Sequence, residues 1–390
     1  MIVKNEAASL PRCLDSVKDV VEEMVILDTG STDKTVEVAE NLGSKVYHFK
    51  WCDDFAVARN EALKYVQGEW VLVLDADEVL YPNIIPQIKA AIEEEKNLVI
   101  NLVRREMGAA QSPYSLVSRL FRYHPKLRFS RPYHAMIDDS VIELLKTENH
   151  WRVVNIPSMA ILHYGYQPQQ IAAKDKTNRA KKAMEGFFKN NPNDPYVCSK
   201  LGALYISVGE VKEGVKLLKT GLKSNKAEAP LQFELHYHLG NFYSRERNVE
   251  KAVKHYQKAI ALPILPHLKL GAYNNLGGLF QAGKDWGKAL KIYEAALKID
   301  PTFAVVYYNI GLIYKEIGKM QEAEKAYQLA IKYAPDNAFA YQNLAALLLR
   351  MGKIQDSKKL FKTAILLHEN QNPPEAQRLR QGLEIMGISL

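Results

Sequence analysis

Asp75 and Asp77 are the residues whose type and spacing most clearly suit chemistry. They close the run Trp70-Val71-Leu72-Val73-Leu74-Asp75-Ala76-Asp77-Glu78. Five apolar residues bounded by Gly68 and Pro82 predict a buried strand of a parallel sheet. Alternation along a strand would set Asp75 and Asp77 on one face. Two neighbouring carboxylates raise each other's pKa, and a hard divalent cation relieves that cost by taking their oxygens. Ligands of open α/β sheets sit at the carboxyl ends of strands. The pattern points to a metal–diphosphate site, set against a solvated turn with helix-capping acids.

The flanking elements must hold that strand in place. Met1 to Val3 reads as the tail of a first strand, and residues 5–20 as a helix with Leu10, Leu14, Val17 and Val21 on one face. Met24 to Leu27 is a second buried strand running into Asp28-Thr29-Gly30-Ser31-Thr32-Asp33, where Ser31 or Thr32 would cap the next helix. A third strand over 45–49 and a helix over 56–66 complete an alternation that predicts a doubly wound, mostly parallel sheet. Asp28 then ends its strand beside Asp75. It could accept hydrogen bonds from a base or ribose, or only organise a strand-to-helix turn.

Beyond Pro82 the pattern predicts a helix over 84–95 and strands over 97–103, 115–123 and 161–166. Arg119, Arg122, Lys126, Arg128 and Arg131 cluster in sequence with His134, Asp138 and Asp139. The last strand holds His163, whose imidazole could complete a carboxylate metal site.

Taken in order, Met1-Ile2-Val3-Lys4-Asn5-Glu6, Asp28 to Asp33, Ala58-Arg59-Asn60 and Asp75-Ala76-Asp77-Glu78 resemble glycosyltransferase family 2. The likeness covers about residues 1–170. It is nearest to the subgroup that glycosylates peptides and proteins in bacilli, the bacteriocin S-glycosyltransferases among them. The resemblance implies the GT-A nucleotide-diphospho-sugar fold and inversion at the anomeric centre. It implies that Asp28 contacts the nucleoside and Arg59 lies near the diphosphate, with Val3 and Asn5 among the donor-binding residues. Asp75 and Asp77 would handle sugar and metal, and His163 matches a later His that can bind the metal. Two departures stand out. Members usually carry several residues before the Met-Ile-Val, so the first strand here is short. The subgroup often has His-Glu where this chain has His134-Ala135, so a base at that Glu is missing here.

From Pro195 the chain repeats itself. Gly202, Gly240, Gly277, Gly311 and Ala345 align at steps of 38, 37, 34 and 34 residues. Tyr273, Leu276, Gly277, Ala289, Tyr293 and Pro301 recur as Tyr307, Ile310, Gly311, Ala323, Tyr327 and Pro335. This is the tetratricopeptide pattern of paired antiparallel helices, in which one pair cannot bury its own apolar face. The expected domains are a GT-A transferase over 1–170, a connecting helix over 171–194, five repeats over 195–372 and a capping helix over 373–390. Lys174, Lys176 and Arg179 on the connecting helix could approach the diphosphate, or only form a solvated face.

Charge divides the halves. Residues 1–170 hold 19 Lys and Arg against 24 acids; residues 171–390 hold 33 against 20. The basic half would attract an acidic partner, and no basic–aromatic motif points to nucleic acid. Three scattered cysteines fit a reducing cytoplasm, and no run approaches a membrane span or a signal-peptide core.

The expected protein is an inverting, Mn²⁺- or Mg²⁺-dependent glycosyltransferase. It would move sugar from a nucleotide-diphospho-sugar to a protein or peptide held by the repeats. Asp138 and Asp139, then His134, are the candidate general bases. Acceptor atoms would be Ser or Thr hydroxyls, with a Cys thiol second, on flagellin-like proteins or small secreted peptides. A polysaccharide or lipid glycosyltransferase and a non-catalytic repeat scaffold are the competing readings.

Overall fold

A computed structural model describes residues 1–109, 113–131, 135–165, 174–224 and 227–389, with the side chains of 174–180 and 183 left aside. The chain divides into two compact units, one of residues 1–239 with 262–268, the other of 240–261 with 269–390.

Three parallel strands open the first unit: β1 (Ile2–Val3), β2 (Val25–Asp28) and β3 (Lys45–His48), with β2 central. Between β1 and β2 the helix α1 spans only Leu10–Asp15, far less than the periodicity over 5–20 predicted. Asn5 takes φ +57°, which no helix allows, and the Ser16 hydroxyl donates to Cys13 O at the other end (2.6 Å). Helix α2 (Thr35–Asn41) is not capped by Ser31 or Thr32; instead Asp33 accepts from the Thr35 N–H (3.0 Å). Asp54 caps α3 (Phe55–Leu63) by accepting from the N–H groups of Ala56 and Val57.

The second sheet is β4 (Trp70–Leu72), β5 (Glu78–Leu80), β6 (Asn97–Glu106), β7 (Tyr114–Arg122) and β8 (Arg152–His163), in the order β4-β7-β6-β8-β5. Here the expected parallel sheet is corrected. β4 lies antiparallel to β7, Val71 opposite Phe121, and only β6 and β8 run parallel. The apolar run 70–74 is apolar because both its faces are covered. Val71 and Val73 pack with Phe121, Leu127 and Phe129, and Leu74 packs with Leu80, Ile100 and Leu120. Such a run reports burial on two sides, not strand direction. In sequence, helix α4 (Ile85–Glu93) lies between β5 and β6, and α5 (Asp138–Thr147) between β7 and β8.

All-α chain follows: α6 (Lys174–Asn190), α7 (Pro195–Ser207), α8 (Val211–Lys223) and α9 (Ala229–Arg245). The second unit continues through α10 (Val249–Ala261), α11 (Leu270–Ala282), α12 (Trp286–Ile299), α13 (Ala304–Glu316), α14 (Met320–Tyr333), α15 (Ala338–Arg350), α16 (Ile354–Gln371) and α17 (Pro373–Ile385). The repeating glycines meet the repeating tyrosines. A Cβ on Gly277 would lie 2.4 Å from the Tyr293 ring and one on Gly311 2.6 Å from Tyr327, and both rings are fully buried. Close helix contact therefore needs glycine there. Among the described residues, no helix is long and apolar enough to cross a membrane.

Candidate active site

Asp75 and Asp77 sit in the turn between β4 and β5, so strand alternation does not govern them. The Glu78 N–H donates to Asp75 O, and the Asp75 N–H donates to the Glu78 carboxylate, each at 2.9 Å. The turn sends the two aspartates different ways.

Asp75 is clamped by arginines. Arg59, from α3, donates to Oδ1 (2.9 Å), and Arg119, from β7, donates to Oδ2 (2.6 Å). Arg59 also reaches Ala135 O (3.1 Å). Burial pushes the Asp75 carboxyl up, but Arg119 and Arg59 outweigh it and hold the group well below the usual range. Burial, then the neighbouring Arg119, lowers the Arg59 guanidinium to about 10. Asp75 is thus lowered rather than raised, because arginines already supply its counter-charges.

Asp77 faces the other way. Its Oδ2 lies 3.3 Å from His163 Nε2, at the end of β8. The far ring nitrogen, Nδ1, is hydrogen-bonded to Glu106 of β6. Glu106 is held in turn by Arg104 and the Ser115 hydroxyl, each at 2.8 Å. Arg104 continues to the fully buried Glu78 (2.7 Å), which links this network to the Asp75 clamp. Burial would lower the His163 pKa, yet the bonds to Asp77 and Glu106 raise it to about 9. A bound cation would displace that proton.

The donor set suits a cation. One carboxylate oxygen and one imidazole nitrogen 3.3 Å apart can share an ion, and Glu106 behind the ring fixes its tautomer. Gly165 keeps the space clear: a Cβ there would lie 2.5 Å from His163 Nε2 and 2.9 Å from Asp77 Oδ2. No cluster of three or more His, Cys, Asp or Glu forms a metal site among the described residues, so phosphate oxygens and water would complete the shell. Gly165→Ala should therefore weaken Mn²⁺ binding about 10–100-fold, the scale of disturbing a ligand's surroundings. Calorimetric titration of the full chain with Mn²⁺ checks this, and unchanged affinity would contradict it.

The other expected residues fall as follows. Asp28 ends β2 with its side chain almost wholly buried; it accepts from the N–H groups of Gly30 and Ser31 (each 3.1 Å), and His48 Nδ1 lies 3.5 Å away. Burial raises its pKa, but the Ser31 and Gly30 bonds more than offset that and leave it lowered. These bonds organise the strand-to-helix turn. Asn5 ties the same turn, accepting from the Thr32 N–H (2.7 Å), and Val3 O accepts from Thr29 (2.9 Å). Asp139 is taken up by Arg131 and Ser130; burial raises it, but Arg131 wins and it is lowered. Asp138 is raised by burial and accepts from the Ser118 hydroxyl (3.1 Å). His134 and the side chains of Lys174 and Arg179 lie outside the described residues.

Sequence reasoning missed Glu78, Arg104, Glu106 and Gly165. One signal was present: Arg104 and Glu106 interrupt an apolar strand two residues apart, which puts them on one face. A cavity of about 800 Å³ lies elsewhere. It lies between the two sheets, lined by Ile2, Val17, Ile26, Trp70, Val71 and Phe129, and neither Asp77 nor His163 borders it.

Comparison with known proteins decides the family. Residues 1–153 match glycosyl transferase family 2. Tetratricopeptide repeats match at 233–263, 279–318, 304–337 and 326–359. A TPR repeat-containing protein of Synechococcus elongatus is 40% identical over 296 residues, 76% of this chain and 73% of that protein. The N-terminal part of the chain is a glycosyl transferase family 2 domain. The SPbeta prophage-derived glycosyltransferase SunS of Bacillus subtilis is 28% identical over 242 residues, 58% of this chain and 53% of its own. An uncharacterized glycosyltransferase of Rickettsia bellii is 28% identical over 184 residues, 45% of this chain and 62% of that protein. The chain thus spans about half the length of SunS. With its family 2 domain it is a nucleotide-sugar-dependent glycosyltransferase, a GT-A domain followed by tetratricopeptide repeats.

Proposed function

We propose that this glycosyltransferase inverts the sugar it moves, uses a divalent cation held by Asp77 and His163, and modifies polypeptides recruited by its repeats. The observation that carries the reading is the Asp77–His163 pair, with Glu106 behind the ring and Gly165 leaving room in front. A cation there would offset charge on the departing diphosphate. Arg59 and Arg119 hold Asp75 in place, and with it the short turn that carries Asp77. Asp138 is the base favoured over Asp139, because burial raises its pKa while Arg131 consumes its neighbour. Ala135 is buried among Phe129, Ile137 and Val141, so it takes no part in proton transfer.

Support for a polypeptide acceptor is the repeat array and its charge. Tetratricopeptide surfaces suit extended chains, and the 33 Lys and Arg against 20 acids beyond residue 170 would steer an acidic one. The test is hydrolysis of a panel of UDP-, GDP- and dTDP-sugars by the full chain. Chelator should stop turnover of the accepted donor and Mn²⁺ should restore it. Turnover that persists in excess chelator would rule out the cation. Mass spectrometry of candidate acceptors incubated with that donor should show hexose- or deoxyhexose-sized additions. Modification of lipid alone would rule out the acceptor class.

A further inference from the structure

Arg12 lies on α1, one residue before Cys13, whose thiol reaches Asp75 O (3.5 Å). Its guanidinium stacks on the ring of Tyr164, 3.6 Å from the centroid. Tyr164 stands between His163 and Gly165, and its N–H donates to Asp77 O (2.9 Å). An exposed cation is thus fastened to the strand end that carries the cation-site residues. Its partners set it apart from the other arginines here. Arg59 and Arg119 pair with Asp75, Arg104 with Glu78 and Glu106, and Arg131 with Asp139. Arg12 makes no ion pair among the described residues; nearby Asp15 pairs with Lys18.

From this placement we propose that Arg12 is a phosphate-binding residue that grips the donor's diphosphate, with Tyr164 as its platform. The proposal rests on the cation site proposed above. Stacking on a ring fixes the guanidinium plane and leaves its N–H edges free for two-pronged contact with phosphate oxygens. Charge balance calls for such a group. A diphosphate and Asp77 together outweigh one divalent cation, and Arg12 supplies the missing positive charge where more negative charge builds on the leaving group. The arginines around Asp75 already have carboxylate partners.

The probe is inorganic pyrophosphate with saturating Mn²⁺, titrated calorimetrically into the full chain. Arg12→Ala should weaken pyrophosphate binding about ten- to a hundredfold, the scale of losing a charge-assisted pair. It should leave the affinity for Mn²⁺ alone unchanged, and its melting temperature close to that of the parent, because the side chain is exposed. Arg12→Lys should recover part of the loss, and Tyr164→Leu should reproduce a smaller share of it. Raising the salt should weaken the parent more steeply than Arg12→Ala. If Arg12→Ala binds Mn²⁺-pyrophosphate within twofold of the parent while Asp77→Asn loses Mn²⁺, the role of Arg12 is overturned and the cation site stands. If the parent chain binds no Mn²⁺, the cation site itself fails and this proposal falls with it.

Discussion

Asp75→Ala is expected to destabilise the full chain by about 2–4 kcal/mol, a loss far larger than surface acids show. The carboxylate joins Arg59 and Arg119, whose side chains are only 11% and 10% exposed. Removing it leaves two guanidinium groups nearly out of water with one fewer counter-charge. Glu78 remains 3.8 Å from Arg119, and Asp75 itself is 35% exposed, so the loss should fall below that of a fully buried pair. Asp75→Asn keeps acceptor oxygen on one side and should cost less. Urea unfolding followed by circular dichroism measures the difference. An Asp75→Ala midpoint equal to that of the parent would mean that the arginine clamp carries no stability. The same substitution at Asp77 should be mild, since its partner His163 can lose its proton when the carboxylate goes. The two aspartates of one short motif should therefore separate: one holds the fold, the other the chemistry.

The second large effect concerns where the transferase ends. A chain stopped at residue 194 is expected to aggregate or to melt without cooperativity, whereas one stopped after Leu268 should fold. The compact unit that contains Asp75 runs through Leu239 and includes 262–268. Arg131 lies under the Tyr196 ring (4.0 Å to the centroid) and 3.9 Å from Asp194. Pro230 and the segment Pro263 to Leu268 line a pocket with Leu116 of β7 and Asn155 of β8, and His267 meets Tyr114 edge-on (5.2 Å). Cutting at 194 exposes these apolar surfaces and removes the ring over Arg131. Thermal melts of both chains decide it, and equal cooperative melts would contradict it. The chain ending after Leu268 is the one in which donor hydrolysis should survive while transfer to protein is lost.

The sequence disclosed elements better than partners. The alternation of apolar runs and helical faces located most strands to within a few residues. Glycine and tyrosine spacing located the repeats, because close-packed helix pairs impose a strict period. Strand direction in the second sheet was not legible. Burial on both faces gives the same apolar run in parallel and antiparallel pairing, as 70–74 shows. Asp77 and His163 were legible as an acid and an imidazole at strand ends. The fate of Asp75 was not, because its clamp comes from residues 16 and 44 positions away. Asp28 is the instructive middle case. Its place at the end of β2 was read correctly, but position alone could not reveal that Gly30 and Ser31 engage its oxygens.

The central claim is that Asp77 and His163 hold one divalent cation for a nucleotide-sugar's diphosphate. Electron paramagnetic resonance of Mn²⁺ added to the full chain tests it most directly. The account predicts one bound Mn²⁺ per chain, its signal altered by nucleoside diphosphate and its affinity lost in both Asp77→Asn and His163→Ala, with both variants still folded. Mn²⁺ bound as tightly by those variants as by the parent would contradict it.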